Sequence, residues 1–203
     1  MRMKLIKKVF STLLVALLLT SCGGMTTGVS IGETEIKSSE IQKNVDYILT
    51  ARNGVDTSQM QLIEGAELLR NQAQFLIIKT LLDKVALDKN LSITSADVAA
   101  RRADTISRLG GESQLPTALV GANLAVSNLD AYLRILLISD RLNSDLINAG
   151  VAEDEAASEV SKLVIETALK LGVKVDTKYG KWNPTTATIE AADATSGAVT
   201  PLP

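Results

Sequence analysis

Histidine is absent from this 203-residue chain, cysteine occurs once, and aromatic residues make up 3% of it. Each shortage excludes something. Without histidine the chain lacks the usual general base of hydrolases and the commonest transition-metal side-chain ligand. A single thiol, Cys22, can form neither an intrachain disulfide nor a cysteine-rich zinc site. The sequence carries no phosphate-binding glycine loop, no nucleophile elbow and no Ser-x-x-Lys, and no basic stripe is interleaved with aromatics as a nucleic-acid surface requires. We therefore expect no enzyme, no cofactor, no bound metal and no nucleic-acid partner.

What is present is aliphatic. Hydrophobic residues form 46% of the chain and charged residues 22%, the composition of a folding domain. A chain of this length buries roughly 70% of the surface its unfolded form exposes, so one domain with a substantial core is expected. The formal net charge is −2, but Arg2, Lys4, Lys7 and Lys8 all precede the domain. Past them 17 basic residues face 23 acidic ones, a balance that repels phosphate backbones and anionic lipid surfaces.

The basic residues 2 to 8 lead into the apolar stretch Val9 to Leu19. That stretch falls well short of the about 20 apolar residues that cross a bilayer, and suits the hydrophobic region of a secretory signal peptide. It ends in Leu19-Thr20-Ser21-Cys22, which resembles the bacterial lipobox. The resemblance implies a signal peptide over 1–21, cleavage before Cys22 and lipid on its thiol. Two or more acyl chains give stable attachment, at about 0.8 kcal/mol per buried methylene. Residues 22–28 then form a short tether. An extracytoplasmic location follows, on the cell membrane or on the outer membrane of a two-membrane bacterium.

Beyond the tether the pattern is mainly helical, with about five helices. Val29-Ser30-Ile31 before Gly32 reads as a short strand. Ser39 with Gln42 forms a capping-box pair opening a helix to about Arg52, where Asn53-Gly54 stops it. A second start near Ser58, with Gln61, opens a very long helix to about Asn90, on which Leu62, Ala66, Leu69, Ala73 and Leu76 share a face. Its second half is apolar nearly all round, which implies neighbours on several sides. Thr94 with Asp97 opens a third helix ending at Gly110-Gly111. A weakly polar segment from Leu115 to Val126 follows, broken by Pro116 and Gly121. Ser127 with Asp130 caps a fourth helix, with Ile135, Ile138, Leu142 and Leu146 on one face and Gly150 at its end. The fifth runs from about Glu153 to Leu171, with Val160, Val164, Ala168 and Leu171 inward and Gly172 after it. Val173-Lys174-Val175 alternates as a strand does and is expected to pair with Val29 to Ile31 in a small two-stranded sheet joining the domain ends. The domain is thus assigned to 29–182. Residues 183–203, rich in Thr, Ala, Ser and Pro without periodicity, read as a disordered tail.

This order of elements resembles the N-terminal chaperone domain of the SurA and PrsA family of extracytoplasmic foldases. The segments that carry the likeness are Val29 to Ile36, Ala86 to Asp97, Leu109-Gly110-Gly111 and Leu115 to Leu133, and they span most of 29–176. The resemblance implies a lipid-anchored protein that binds unfolded or newly exported polypeptides. The parvulin-type prolyl isomerase domain common in the family has no room here and no histidines, so isomerase activity is not implied. The scarcity of aromatics argues against a preference for aromatic-rich peptides.

An apolar cradle for such clients draws its candidates from Phe75, Ile78 and Leu82 on the long helix and Leu115, Leu119 and Leu124 in the weakly polar segment. Helical spacing suits all six equally to the core, the commoner place for such residues. A second reading of the domain is an interaction module for one dedicated cell-envelope partner. Glu153-Asp154-Glu155 is expected in a first helical turn from the helix dipole. Arg101-Arg102 reads as a solvated face, and Tyr179 to Pro184 as a clamp holding the returning strand to the helices or, alternatively, as a partner contact. Asn90-Leu91-Ser92 matches a glycosylation sequon by coincidence in a bacterial lipoprotein.

Overall fold

In the computed structural model, residues 26–192 are described. The segments expected to be a signal peptide and lipobox, with Cys22, lie outside them, as does the chain after 192. The described chain is mainly helical, as expected, with small antiparallel sheets at one end.

Strand β1 (Thr27–Ile31) turns through Gly32-Glu33 into β2 (Thr34–Lys37), with Gly32 at φ +57° supplying the positive φ that a two-residue hairpin turn requires. On β1, Val29 and Ile31 point into the core while Ser30 faces outward, the period-2 pattern of a half-buried strand. The expected pairing of the domain ends is present. Strand β3 (Val173–Val175) lies antiparallel to β1, with Val29 opposite Val175 and Ile31 opposite Val173. It is joined by β2, which gives a three-stranded sheet in the order β2-β1-β3. Only Ile36 of β2 is buried, so the strand left little apolar signal in the sequence.

Helix α1 (Ser38–Arg52) follows β2 directly and buries Ile41, Asn44, Val45 and Ile48. The helix does not open at Ser39 as expected. Lys37 occupies the cap position while still paired to Thr27 in the sheet, and the Ser38 amide donates to Thr26 O, so the sheet begins the helix. The second helix also starts later than expected. Residues 53–64 form turns and extended chain: the Asp56 carboxylate accepts the Ser58 amide at 3.0 Å, which diverts Ser58 from the cap role. That hydrogen bond also holds the Asp56 carboxyl below its ordinary pKa. Helix α2 (Gly65–Asp88) then spans 24 residues, about 36 Å at the standard rise. Leu62 and the exposed Ala66 therefore do not belong to its buried stripe, whereas Leu68, Gln72, Ala73, Leu76, Ile77, Leu81, Leu82, Val85 and Ala86 are buried.

The remaining helices are α3 (Ser95–Leu109), α4 (Leu115–Gly121), α5 (Leu129–Asn148) and α6 (Glu153–Leu171). The Thr94/Asp97 capping box is fully formed, Thr94 N donating to Asp97 Oδ2 at 2.7 Å and Asp97 N to Thr94 Oγ1 at 3.2 Å. The Ser127/Asp130 pair does not cap α5. Val126–Asn128 is a 3-10 turn that runs straight into the helix, with Asn128 at the cap position.

The reading of 183 onward as a tail is corrected as far as residue 192. Lys181–Asn183 (β4) and Thr188–Glu190 (β5) form an antiparallel hairpin that buries Ala187 and Ile189 against the main core. The Gln74 side-chain amide acts as a neighbouring strand would, donating to Ala187 O and accepting from Ile189 N, each at 2.8 Å. Gly180 permits the close approach: a Cβ there would stand 2.1 Å from Glu190 O.

Three apolar clusters result. The main one joins α2, α5 and α6 to the inner face of the sheet and includes the fully buried Ile77, Leu81 and Ile138. A small one, Val45, Ile48, Leu68 and Ala125, seats α1 on the start of α2. The third lies beneath α3.

Candidate functional site

The third cluster consists of Leu115, Leu119, Leu124, Leu129 and Leu133, with the half-buried Phe75 and Leu136 at its edges. Leu115 and Leu119 come from α4, Leu124 from the turn after it, and Leu129 and Leu133 from the first two turns of α5. Phe75 of α2 touches this cluster and the main core alike and forms the seam between them.

Helix α3 covers this cluster without burying a single residue. Its half-buried positions are Val98, Arg101, Arg102, Thr105, Ile106 and Leu109, one stripe at spacings of three and four. The apolar members pack on the leucines beneath. The middle of the stripe is charged: Arg101 pairs with Asp140 and Arg102 with Asp130 at 2.7 Å, both on α5. The two arginines read as a solvated face are thus the polar fasteners of the helix. All four side chains keep solvent contact, and such pairs contribute roughly 0 to 1 kcal/mol each.

Left-handed backbone follows α3 directly and also occurs ahead of it, just after α2. Gly110 and Gly111 stand at φ +91° and +112°, with the Gly111 amide closing onto Ile106 O. On the other side Asn90 stands at φ +55°. The chain between Asn90 and α3 is held by Arg134, which donates from Nη1 to Ile93 O at 2.7 Å and from Nε to Asp83 Oδ1 at 2.9 Å. The helix start itself is stabilised by Asp97, whose carboxyl is held below its ordinary pKa by the Thr94 backbone and side-chain hydrogen bonds.

Four of the six candidate contact residues are core: Leu82 belongs to the main cluster and Leu115, Leu119 and Leu124 to the one under α3. Phe75 and Ile78 are half-buried against the core. The structure brings Phe75 together with Leu115, Leu119 and Leu124, and places Ile78 and Leu82 apart from them. An open cradle made of all six is therefore absent in this conformation, and the three leucines form one apolar patch that is covered.

Tyr179 is buried in the main cluster and Trp182 packs against it, as a clamp requires. Lys178 reaches back to the start of α1, its Nζ donating to Ser38 Oγ at 2.8 Å. Beside that contact lies a shallow depression of about 350 Å³ lined by Ser38, Ser39, Gln42, Leu69, Lys178 and Tyr179. Another of about 440 Å³ runs along Thr27–Ser30 and Lys174–Thr177. Both are open to solvent at the sheet end. Among the described residues, no group of three His, Cys, Asp or Glu side chains is placed to hold a metal ion, and no helix is long and apolar enough to cross a membrane.

A buried polar junction escaped the sequence reading. Arg52 at the end of α1 donates through Nη2 to Ile63 O at 2.7 Å and to Asn123 Oδ1 at 2.9 Å, and Gln72 Nε2 donates to Asn123 O at 2.9 Å. The junction fixes the loop before α2 and the turn after α4, where Asn123 sits at φ +52°. Its one local signal is Gln72, a polar residue inside an apolar stripe.

Comparison with known protein families, with curated proteins and with solved structures gives no match to this chain.

Proposed function

We propose that this protein is a lipid-anchored, non-catalytic chaperone that holds unfolded or newly exported polypeptides near the membrane. The observation that carries the reading is the separate leucine cluster under α3, an apolar surface covered on one side by a helix that buries no residue. Apolar burial is non-directional, so such a surface accepts many sequences once it is open. The resemblance to the SurA and PrsA chaperone domain supports the same reading. So does the leader, whose lipobox would leave Cys22 acylated and the domain a few residues from the bilayer.

Two measurements test it. The mature domain, made without lipid, is expected to slow the aggregation of an unfolded model protein at near-equimolar ratio, and an unchanged aggregation rate counts against the proposal. The N-terminal peptide from the native host is expected to begin at Cys22 with the mass of a lipid-modified residue, whereas an unmodified terminus removes the anchor.

A second reading, a module for one dedicated envelope partner, is favoured by fixed exposed apolar residues such as Leu87 at the end of α2 and Leu169 at the end of α6, 69% and 61% exposed. Crosslinking in intact cells separates the two. A single dominant adduct indicates a dedicated partner, and a broad distribution of adducts indicates clients.

A further inference from the structure

We propose that α3 is a displaceable cover, and that the groove it leaves takes aliphatic segments of unfolded polypeptides that carry basic residues. This rests on the chaperone reading and names the chemistry of its clients.

The stripe by which α3 docks is Val98-Arg101-Arg102-Thr105-Ile106-Leu109, apolar at its ends and cationic in the middle. A helix meant to stay closed carries buried aliphatic residues at such central positions, as α5 does with Ile138 and Leu142. Here the centre is held by solvent-facing ion pairs, and the apolar members are only half covered. Local stability follows buried apolar contact, so α3 belongs to the part of the fold that opens first. Gly110-Gly111 concentrates the direction change after α3 in a short segment, while Leu91 and Ile93, packed on the main core, keep the link before it in place.

Release of α3 uncovers Leu115, Leu119, Leu124, Leu129 and Leu133 and frees Asp130 and Asp140 on the same side of α5. The groove then presents aliphatic surface with two carboxylates beside it. Charge complementarity selects its occupant: a segment resembling α3 itself, with branched aliphatic residues flanking lysine or arginine. Acidic segments are repelled by the two freed carboxylates. The net charge of −2 for the whole chain acts in the same direction.

The test uses the full chain and, as probe, a synthetic peptide with the sequence of residues 95–109. Hydrogen exchange is expected to show α3 amides opening at least about 10-fold faster than those of α2, as one block ending at Gly110-Gly111. In the Arg101→Glu/Arg102→Glu variant α3 exchange speeds up further and the peptide binds about 10-fold more tightly than to the parent chain. Adding Asp130→Arg and Asp140→Arg restores closure and slow exchange, which shows that the first variant opened rather than misfolded. Exchange of α3 in step with α2 overturns the proposal, as does peptide binding that ignores the charge changes. A dimer in which α3 is traded between two copies also overturns it, since the occupant is then a second copy. If the parent chain suppresses aggregation and the opened variant does so no better, clients bind elsewhere and only this inference falls. If the peptide binds the opened groove but no aggregation is suppressed, the cover stands and the chaperone reading falls.

Discussion

Helices α2 and α3 both lie between loops, yet one is the axis of the molecule and the other lies on its outside. Helix α2 buries nine residues and is enclosed by α1, α5, α6 and the sheet. Helix α3 buries none, and its attachment combines half-covered aliphatics with ion pairs. The difference lies in what occupies the inward stripe. A buried stripe that is aliphatic but for the hydrogen-bonded Gln72 commits a helix to one position. A stripe interrupted by arginines leaves docking cheap to reverse.

The comparison can be broken from the side of α2 most forcefully. Ile77→Ala removes a fully buried side chain from the main core and is expected to cost about 2 to 5 kcal/mol, read as a lowered midpoint of global denaturant unfolding. Gly180→Ala comes next, at about 1 to 3 kcal/mol, since φ +127° and the approach of Glu190 O leave no room for a Cβ. Its loss should be seen first as released fluorescence of Trp182, the chain's one tryptophan.

On the side of α3 the effects are smaller and local. Thr94→Ala removes the capping box and should cost about 1 kcal/mol, visible as faster amide exchange in the first turn of α3 with little change in global unfolding. The same box gives a pH dependence of fixed sign. Asp97 titrates below its ordinary value in the folded chain, so its contribution is complete above the unfolded carboxyl pKa and is lost as pH falls through the lower, folded one. Exchange at the Thr94 amide, which donates to the Asp97 carboxylate, corrected for the intrinsic pH effect, should rise only in that acidic window. Arg102→Ala is the mildest change, under about 1 kcal/mol, and sharpens the comparison if added salt loosens α3 more in the parent chain than in the variant, which keeps the Arg101–Asp140 pair.

How far the sequence disclosed this arrangement varied with how local the cause was. The capping box at Thr94, the stop at Gly110-Gly111, α6 with its Gly172 and the pairing of Val29 with Val175 were all legible, because each is written in adjacent residues or in period-2 and period-3.6 patterns. The hairpin at 181–190 was not. Its apolar content is little more than Trp182, Ala187 and Ile189, and the group that holds its edge, Gln74, comes from the middle of α2. The sequence pattern extends α2 too far at its start, since an Asx turn at Asp56 and the reach of Arg52 to Ile63 O compete with the helical pattern. Of the candidate site, the sequence offered Leu115, Leu119 and Leu124 as one segment. It could not show that α3 lies over them, because the pairing of Arg101 and Arg102 with α5 depends on the tertiary fold.

The middle position of β1 in its sheet has a consequence for when the domain can be completed. Synthesis runs from the N-terminus, so β1 and β2 are made first and β1 keeps one edge unfilled until the stretch after α6 has been delivered. A main-chain edge left open that long is a template for pairing with other chains. The shortness of β1 limits that exposure to a narrow strip, sealed by β3 and by the bonding of Gly32 and Asp176 once all six helices have been made.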